Sequence, residues 1–289
     1  MQLTTNAPML DAASPAELLD ALRAAVVESM PLDGLDADTY ARDHAKFEAR
    51  SDQRSLIIRW LSARIARRFD GPLSILSVGC GDGSVDVAIA DEATSTDPKR
   101  MVRYVGIEPY DGSAASFAAK LGGLARPGLD PVTHVATFDD ARVDEQFDVI
   151  TFVHSMYYVP DVEVALRRAY AMLRPGGELL VLSAPRGALN QLVGAIAPTV
   201  DGHKQWFSDD VAAAFDRSGL ELAERVTLDA RVDLTDAPTD VLDFTVQAKL
   251  TPIVTPLVDA YLTGVALPGS RLVLAHPVDA YRVRRSDSA

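Results

Sequence analysis

After Gly71-Pro72 the sequence settles into short apolar runs separated by helical stretches, and this alternation constrains the fold more than any other feature. Runs at residues 74–78, 102–107, 132–136, 147–153 and 178–182 have the length and composition of buried strands. Helical stretches at 85–90, 113–121 and 161–173 lie between them. Strands joined through helices pair in parallel, and a parallel sheet must be covered on both faces. Arg174-Pro175-Gly176-Gly177 reads as a stop and turn. The final third adds helices near 208–218 and 239–249, with strands near 220–228 and 271–284. The fold class is α/β, with no internal repeat.

The first 70 residues read as helical. Ser14-Pro15-Ala16-Glu17 is a capping box with proline at the first helical position, and Leu18, Leu19, Leu22 and Val26 follow. A second helix is expected over 36–50, where Tyr40 and Phe47, seven residues apart, share a face. Ser51 caps a third, with Leu56, Ile57, Trp60, Leu61 and Ile65 as its buried stripe. The expected division is a helical cap over 1–70 and an α/β domain over 71–289, with an insertion at about 230–268. The cap and insertion lie outside the common sheet and are expected to form a lid that encloses a substrate.

Composition narrows the ligand. A formal charge of −13 repels phosphate backbones, so nucleic acid is not the expected partner. The basic groups Arg64/Arg67/Arg68 and Arg282/Arg284/Arg285 read as a solvated helix face and a chain end. No apolar run reaches the roughly 20 residues of a membrane span. The start, Met1-Gln2-Leu3-Thr4-Thr5, lacks the pattern of a secretion signal. Cys80 is the lone cysteine, so no internal disulfide forms and no metal-ligand spacing is present. A cytoplasmic protein acting on a small molecule, without a metal, is the expectation; the oligomeric state is not legible.

Ser77-Val78-Gly79-Cys80-Gly81-Asp82-Gly83-Ser84 follows the first strand and precedes a helix. Glycine there permits positive φ and a close approach of backbone amides to a ligand. The helix N-terminus beyond it suits an anionic group. The next strand ends in Ile107-Glu108-Pro109, where a carboxylate can accept hydrogen bonds from a ribose diol. The glycines run G-x-G-x-G, not the G-x-G-x-x-G of dinucleotide sites, and Glu108 lies further on than the usual roughly 20 residues, on account of a loop at 92–100. Nicotinamide dinucleotides and S-adenosylmethionine are the two cofactor classes left by this pattern. Cys80 reads as a small loop residue, not a nucleophile, with no basic partner nearby.

Residues 75–84, Glu108-Pro109, the turn Phe138-Asp139-Asp140, the strand at 147–153 and residues 173–182 together resemble the successive motifs of class I S-adenosylmethionine-dependent methyltransferases. The resemblance spans about 51–187. It implies a Rossmann-like, doubly wound sheet of seven strands, order 3-2-1-4-5-7-6, with the last strand, 271–284, antiparallel. It implies S-adenosylmethionine as cofactor, with Gly79, Cys80 and Gly81 under the methionine portion and Glu108, Pro109 and Ser113 on the ribose side. Phe138 and Asp139 would border the adenine, with Val153 packing beside them.

Ile75-Leu76-Ser77-Val78-Gly79, Val85-Asp86, His154-Ser155-Met156-Tyr157-Tyr158-Val159, Leu242-Asp243-Phe244 and the Tyr40…Phe47…Ser51 spacing are similar to the histamine N-methyltransferase group. That likeness implies an acceptor pocket lined by His154, Tyr157, Tyr158 and Phe244, to which Tyr40, Phe47 and Gln53 add. The group's substrate-binding glutamate falls on Gln53, its glutamine on His154, and its two pocket tryptophans on Ala188 and Leu192. A pocket so altered points away from histamine itself.

The expected reaction is methyl transfer to nitrogen, with oxygen second, of a small molecule, plausibly in bacterial secondary metabolism. His154 has the pKa range to accept the proton, and Tyr157 would face cofactor or acceptor. The plain alternative makes His154 a satisfied strand-end residue and both tyrosines packing residues. His44, His134, His203 and His276 read as surface or structural, and Asp209 and Asp210 as first-turn helix charges. Two rival functions stay open: internal cyclisation of S-adenosylmethionine to an azetidine-2-carboxylate-type amino acid with release of methylthioadenosine, and binding without turnover.

Overall fold

The computed structural model describes residues 13–28, 32–65, 71–196 and 205–287. The chain start, Arg67, Arg68 and His203 lie outside the described residues. Two compact units are interleaved in sequence: one takes Met1–Gln53, Arg186–Gly202 and Asp229–Pro277, the other Arg54–Pro185, His203–Leu228 and Val278–Ala289. The units therefore do not divide at residue 70, and most of the third helix belongs with the sheet.

In the sheet unit, β1 (Leu73–Val78), β2 (Val102–Ile107), β3 (Leu129–His134), β4 (Phe147–Val153) and β5 (Leu173–Ser183) are parallel neighbours in the order β3-β2-β1-β4-β5. Beyond β5 the order continues with β9 (Val278–Arg284) and β6 (Leu222–Leu228), and β9 runs antiparallel to both. Counting only these seven strands, the order is 3-2-1-4-5-7-6 with the last strand antiparallel, as the resemblance implies. The helices of this unit are α3 (Gln53–Ile65, less its first residue), α4 (Asp86–Thr96), α5 (Asp111–Gly123), α6 (Val162–Ala171) and α8 (Ser208–Ser218).

Strand β1 is buried along its whole length, so its residues feed both faces. Leu73 and Ile75 join Ile57, Trp60, Leu61, Tyr104 and Phe117, whereas Leu76 and Val78 join Phe147, Phe152, Leu166, Phe215 and Tyr281. That period of two is the strand pleat. Across β5 and β9, Glu178, fully buried, accepts from Arg282 Nη1 at 2.8 Å, and Arg282 and Arg64 share Glu224. A buried carboxylate held this way is costly to orphan.

The other unit contains α1 (Pro15–Glu28), α2 (Ala37–Glu48), α7 (Ala188–Ile196), α9 (Thr239–Val246), α10 (Thr255–Gly264) and the two-stranded ladder β7 (Arg231–Asp233) with β8 (Val273–Ala275). The Ser14–Glu17 capping box is present: Ser14 N–H donates to Glu17 Oε2 at 2.7 Å and Glu17 N–H to Ser14 Oγ at 3.4 Å. Leu18, Leu22, Leu192, Val232, Phe244, Tyr261 and Leu262 form its core.

Several expected boundaries move. The segment at 271–284 is two strands in two units, broken at His276-Pro277, where proline has no N–H for a ladder. Helix α4 runs through the expected loop to Thr96. Arg174-Pro175-Gly176-Gly177 opens β5 as an irregular start, with Gly176 at φ +76° and its N–H donated to Arg285 O. Strand β3 begins at Leu129, tolerating Pro131 because it is an edge strand. Helix α9 stops at Val246, with Gln247 left-handed.

Asp86, at the start of α4, is buried beneath the first turn and accepts from Tyr104 Oη at 2.9 Å. Burial pushes its pKa up to about 6, against the hydrogen bonds that lower it. The native state thus holds a proton that the unfolded chain has already released, so stability falls as pH rises from about 4 to about 6. Asp86→Asn keeps an acceptor for Tyr104 and removes that loss, which is on the order of 3 kcal/mol at its upper bound. Thermal unfolding should show the variant more stable than wild type at pH 7.5, with the gap closing near pH 4.

Candidate functional site

The turn after β1 holds Gly79 at φ +65°, Gly81 at +55° and Gly83 at +75°, each in the region only glycine enters freely. Their surroundings differ. A Cβ on Gly79 would lie 2.4 Å from Ser155 Cβ, and one on Gly83 would lie 2.9 Å from the Phe117 Cα. A Cβ on Gly81 would meet no heavy atom within 4 Å. Two glycines are thus bare because the protein packs on them, while Gly81 faces open space at the sheet's carboxyl edge.

Gly79 and Cys80 N–H both donate to Ile107 O, at 2.8 and 3.1 Å, which ties the turn to the end of β2. The residue just past β2 supplies the acid. Glu108 Oε2 accepts from Gly81 N–H at 3.0 Å and Oε1 from Tyr110 N–H at 3.1 Å. The carboxyl is buried, and desolvation raises its pKa against the pull of the two amides. From α5, Lys120 Nζ donates to Asp82 and, at 2.7 Å, to Ser84 Oγ, clasping the far side of the turn. Cys80 is buried with Phe117 beside it, and desolvation raises its thiol pKa strongly. Its side chain faces the core, so only its backbone can meet a ligand, and it is no nucleophile.

Pro109 is exposed and Ser113 half-buried in the first turn of α5. Phe138 is a core residue, edge-on to Phe152 with centroids 5.4 Å apart. Arg168 lies 4.4 Å from its ring centroid and donates to Phe138 O and Ala141 O, pinning the turn that exposes Asp139. Val153 ends β4 half-buried.

His154 follows directly, at φ +51°. The left-handed region is uncommon for a non-glycine residue, and histidine enters it more readily than most. Its N–H donates to Leu182 O, and its ring stacks with Tyr157, Nδ1 lying 2.8 Å from Tyr157 Oη. Tyr157 Oη also accepts from Ala184 N–H at 2.8 Å, and burial raises the phenol's pKa, keeping it neutral. Tyr158, by contrast, is about half exposed.

In the helical unit, Phe244 sits among the rings of Tyr40, Phe47 and His44, with centroids 5.2, 5.2 and 5.3 Å away. The expected Tyr40–Phe47–Phe244 grouping is therefore present. His44, read from sequence as surface or structural, belongs with it; its place four residues after Tyr40 and three before Phe47 was a usable signal. His276 meets Phe47 edge-on at 5.3 Å. Gln53 is buried, and its Nε2 donates to His276 O at 2.7 Å. His276 was legible only through the fold, since 276 and 47 meet across the sequence. His134 is a half-buried residue at the end of β3, and Asp210 accepts from Phe207 N–H at the start of α8.

Residues 49–225 match the methyltransferase domain family. The chain belongs to that family. Curated relatives include ubiquinone biosynthesis O-methyltransferases of Nitrobacter winogradskyi and Pseudomonas entomophila. The first is 28% identical over 163 residues, 53% of this chain and 58% of that protein. The second is 28% identical over 156 residues, 52% of this chain and 61% of that protein. The match spans about three fifths of the length of these relatives. A putative methyltransferase of Bacillus halodurans has the same fold, with a TM-score of 0.56 at 17% identity, over 78% of this chain and 98% of that one. The YcgJ protein of Bacillus subtilis gives 0.55 at 12%, over 79% and 97%. No finding singles out the histamine-specific group.

Family membership makes S-adenosylmethionine the cofactor to test against the turn, and the residues fit it. Of the three turn glycines Gly81 alone has open space over it, and a buried carboxylate stands beside it at the tip of β2. Gly81→Ala should lower affinity for S-adenosylmethionine at least tenfold by calorimetry, since its methyl would occupy that space, while the left-handed backbone costs only about 1–2 kcal/mol. Gly79→Ala should instead unfold the protein at lower temperature or fail to fold, because Ser155 cannot yield 1 Å.

Proposed function

We propose that the chain transfers the methyl group of S-adenosylmethionine to a nitrogen, or secondarily an oxygen, of a small molecule. The observation that carries this reading is the one-sided glycine turn, open over Gly81 and backed by Glu108. The cofactor supplies a methyl group already activated on a sulfonium. The chain's own residues have to position it and manage one proton.

Glu108 would accept from the ribose hydroxyls while its bonds to Gly81 and Tyr110 hold the carboxylate in place. Gly79, Cys80 and Gly81 would border the methionine portion, Pro109 and Ser113 the ribose side, and Asp139 the adenine rim, with the Phe138 turn held by Arg168. Val153 would pack beside them. On the acceptor side, Tyr157 and Tyr158 offer aromatic faces that favour a cationic neighbour. In the helical unit Tyr40, Phe47 and Phe244 offer further rings, and Gln53 stands behind them.

His154 is the proposed proton acceptor. In the tautomer whose Nδ1–H is donated to Tyr157 Oη, Nε2 carries the basic lone pair, and Ala184 N–H holds the phenol that orients the ring. The same base serves an ammonium, an imidazole or a phenol. The relatives named above methylate oxygen by name, which favours oxygen as the second reading of the acceptor atom.

Purified protein incubated with S-adenosylmethionine and a panel of amines and phenols should give S-adenosylhomocysteine only when an acceptor is present. Methylthioadenosine formed without any acceptor would replace this reading with internal cyclisation, and tight binding without product would replace it with a non-catalytic role. His154→Asn suits the left-handed backbone. It should cut turnover by about 10²-fold or more, with the calorimetric Kd for S-adenosylmethionine unchanged. Equal turnover in the variant would remove His154 from the chemistry.

A further inference from the structure

His276 is held at three points. Its N–H donates to Ala230 O at 2.8 Å, its own carbonyl accepts from Gln53 Nε2 at 2.7 Å, and its Nδ1 lies 2.9 Å from Ser51 Oγ. Ser51 Oγ is also 3.0 Å from Arg231 O and accepts from Gln53 N–H at 3.2 Å. A serine hydroxyl owns one proton. Only one assignment makes all these contacts hydrogen bonds at once: the hydroxyl donates to Arg231 O, and His276 Nδ1–H donates to Ser51 Oγ. The ring is then the Nδ1–H tautomer, and Nε2 is left with its lone pair. Nε2 has no hydrogen-bond partner among the described residues.

Burial pushes the pKa of this imidazole down to about 4, with His44 adding to the depression and Asp52 opposing it. The ring therefore stays neutral in the physiological range. Phe47 meets it edge-on, and Phe47 in turn contacts Phe244, beside Tyr40 and His44. An oriented acceptor nitrogen at the end of a row of rings has a defined complement: a flat ring compound with one N–H or O–H donor at its edge.

We propose that the helical unit carries a recognition site for a small ring compound, in which His276 Nε2 accepts a hydrogen bond from the ligand's hydroxyl or ring N–H. Ser51 acts as a positioning residue, fixing the tautomer through Nδ1. Naming this ligand as the methyl acceptor rests on the methyl-transfer reading; the recognition site itself does not. A carbonyl or ether at the same place would set two lone pairs against each other, so the site selects for a donor and against the O-alkylated form of the same ring.

Nitrogen-15 NMR of the histidine rings tests both parts. In the wild-type protein at pH 7, His276 should show a protonated Nδ1 and an unprotonated Nε2; the opposite tautomer would overturn the proposal. Titration with phenol should then move the Nε2 resonance, whereas anisole, the same ring with its hydroxyl methylated, should not. His276→Phe should weaken phenol binding about 3–10-fold, and His276→Gln, which retains an acceptor oxygen, should recover part of it. Phenol leaving Nε2 unmoved, or phenol and anisole moving it equally, would overturn the site. Calorimetry with S-adenosylmethionine on the same sample separates the two readings. Heat without a phenol response removes only the recognition site, and a phenol response without heat removes only the methyl-donor reading.

Discussion

The hydrogen bond from the Gly81 amide to the Glu108 carboxylate, with the paired amides of Gly79 and Cys80 on Ile107 O, is the constraint on which the sheet unit's chemistry depends. It locks the turn after β1 to the tip of β2. A turn left to itself would have no reason to hold three glycines at positive φ, since glycine loses the most conformational freedom on ordering. Here the surroundings hold each one: Ser155 at Gly79, Phe117 at Gly83, Glu108 at Gly81. The order of the turn therefore comes from its contacts and not from its own sequence. That is why one face of it can stay open without becoming loose.

The same logic extends along the sheet's carboxyl edge. Ser155 Oγ donates to Val78 O at 2.6 Å, so the segment after β4 is tied to the end of β1. His154, one residue earlier, is left-handed and donates its own N–H to Leu182 O. Ser155 meets Gly79 through its side chain and adjoins His154 through the chain, so removing that side chain would open space at Gly79 next to the proposed base.

Most strand positions and the glycine turn were legible in the sequence because each is encoded locally, by periodicity and by glycine placed between strand and helix. So were Glu108 and the Tyr40–Phe47 face. The strand order was available only through the resemblance to the methyltransferases. The split of 271–284 between two strands was not legible, because the partner of Val273–Ala275 is Arg231–Asp233, some forty residues away, and only pairing reveals it. The left-handed Gln247 that ends α9 was hidden for a related reason: Gln247 and Ala248 N–H close on carbonyls within the helix, and the residue types give no warning. His276 was read as surface or structural because its hydrogen-bond partners, Ser51 and Gln53, lie at the other end of the sequence. Glu108 and the Tyr40–Phe47 face could be read directly because neighbours in sequence define them, whereas His276 depended on neighbours some 225 residues away.

The protein's formal charge of −13 makes a strongly anionic ligand an unlikely guest, yet the candidate ligand-facing groups are mostly neutral. Tyr157 is kept as a phenol by burial, and His276 is kept as an imidazole by the same cause. Glu108 is the buried carboxylate at the glycine turn, and desolvation already raises the cost of its charge. A cationic sulfonium near that carboxylate would repay part of this cost. Surface charge and site charge thus do separate work. Acidity on the outside repels phosphate backbones, whereas in the proposed recognition site hydrogen-bond direction, set by which atom holds the proton, would do the selecting.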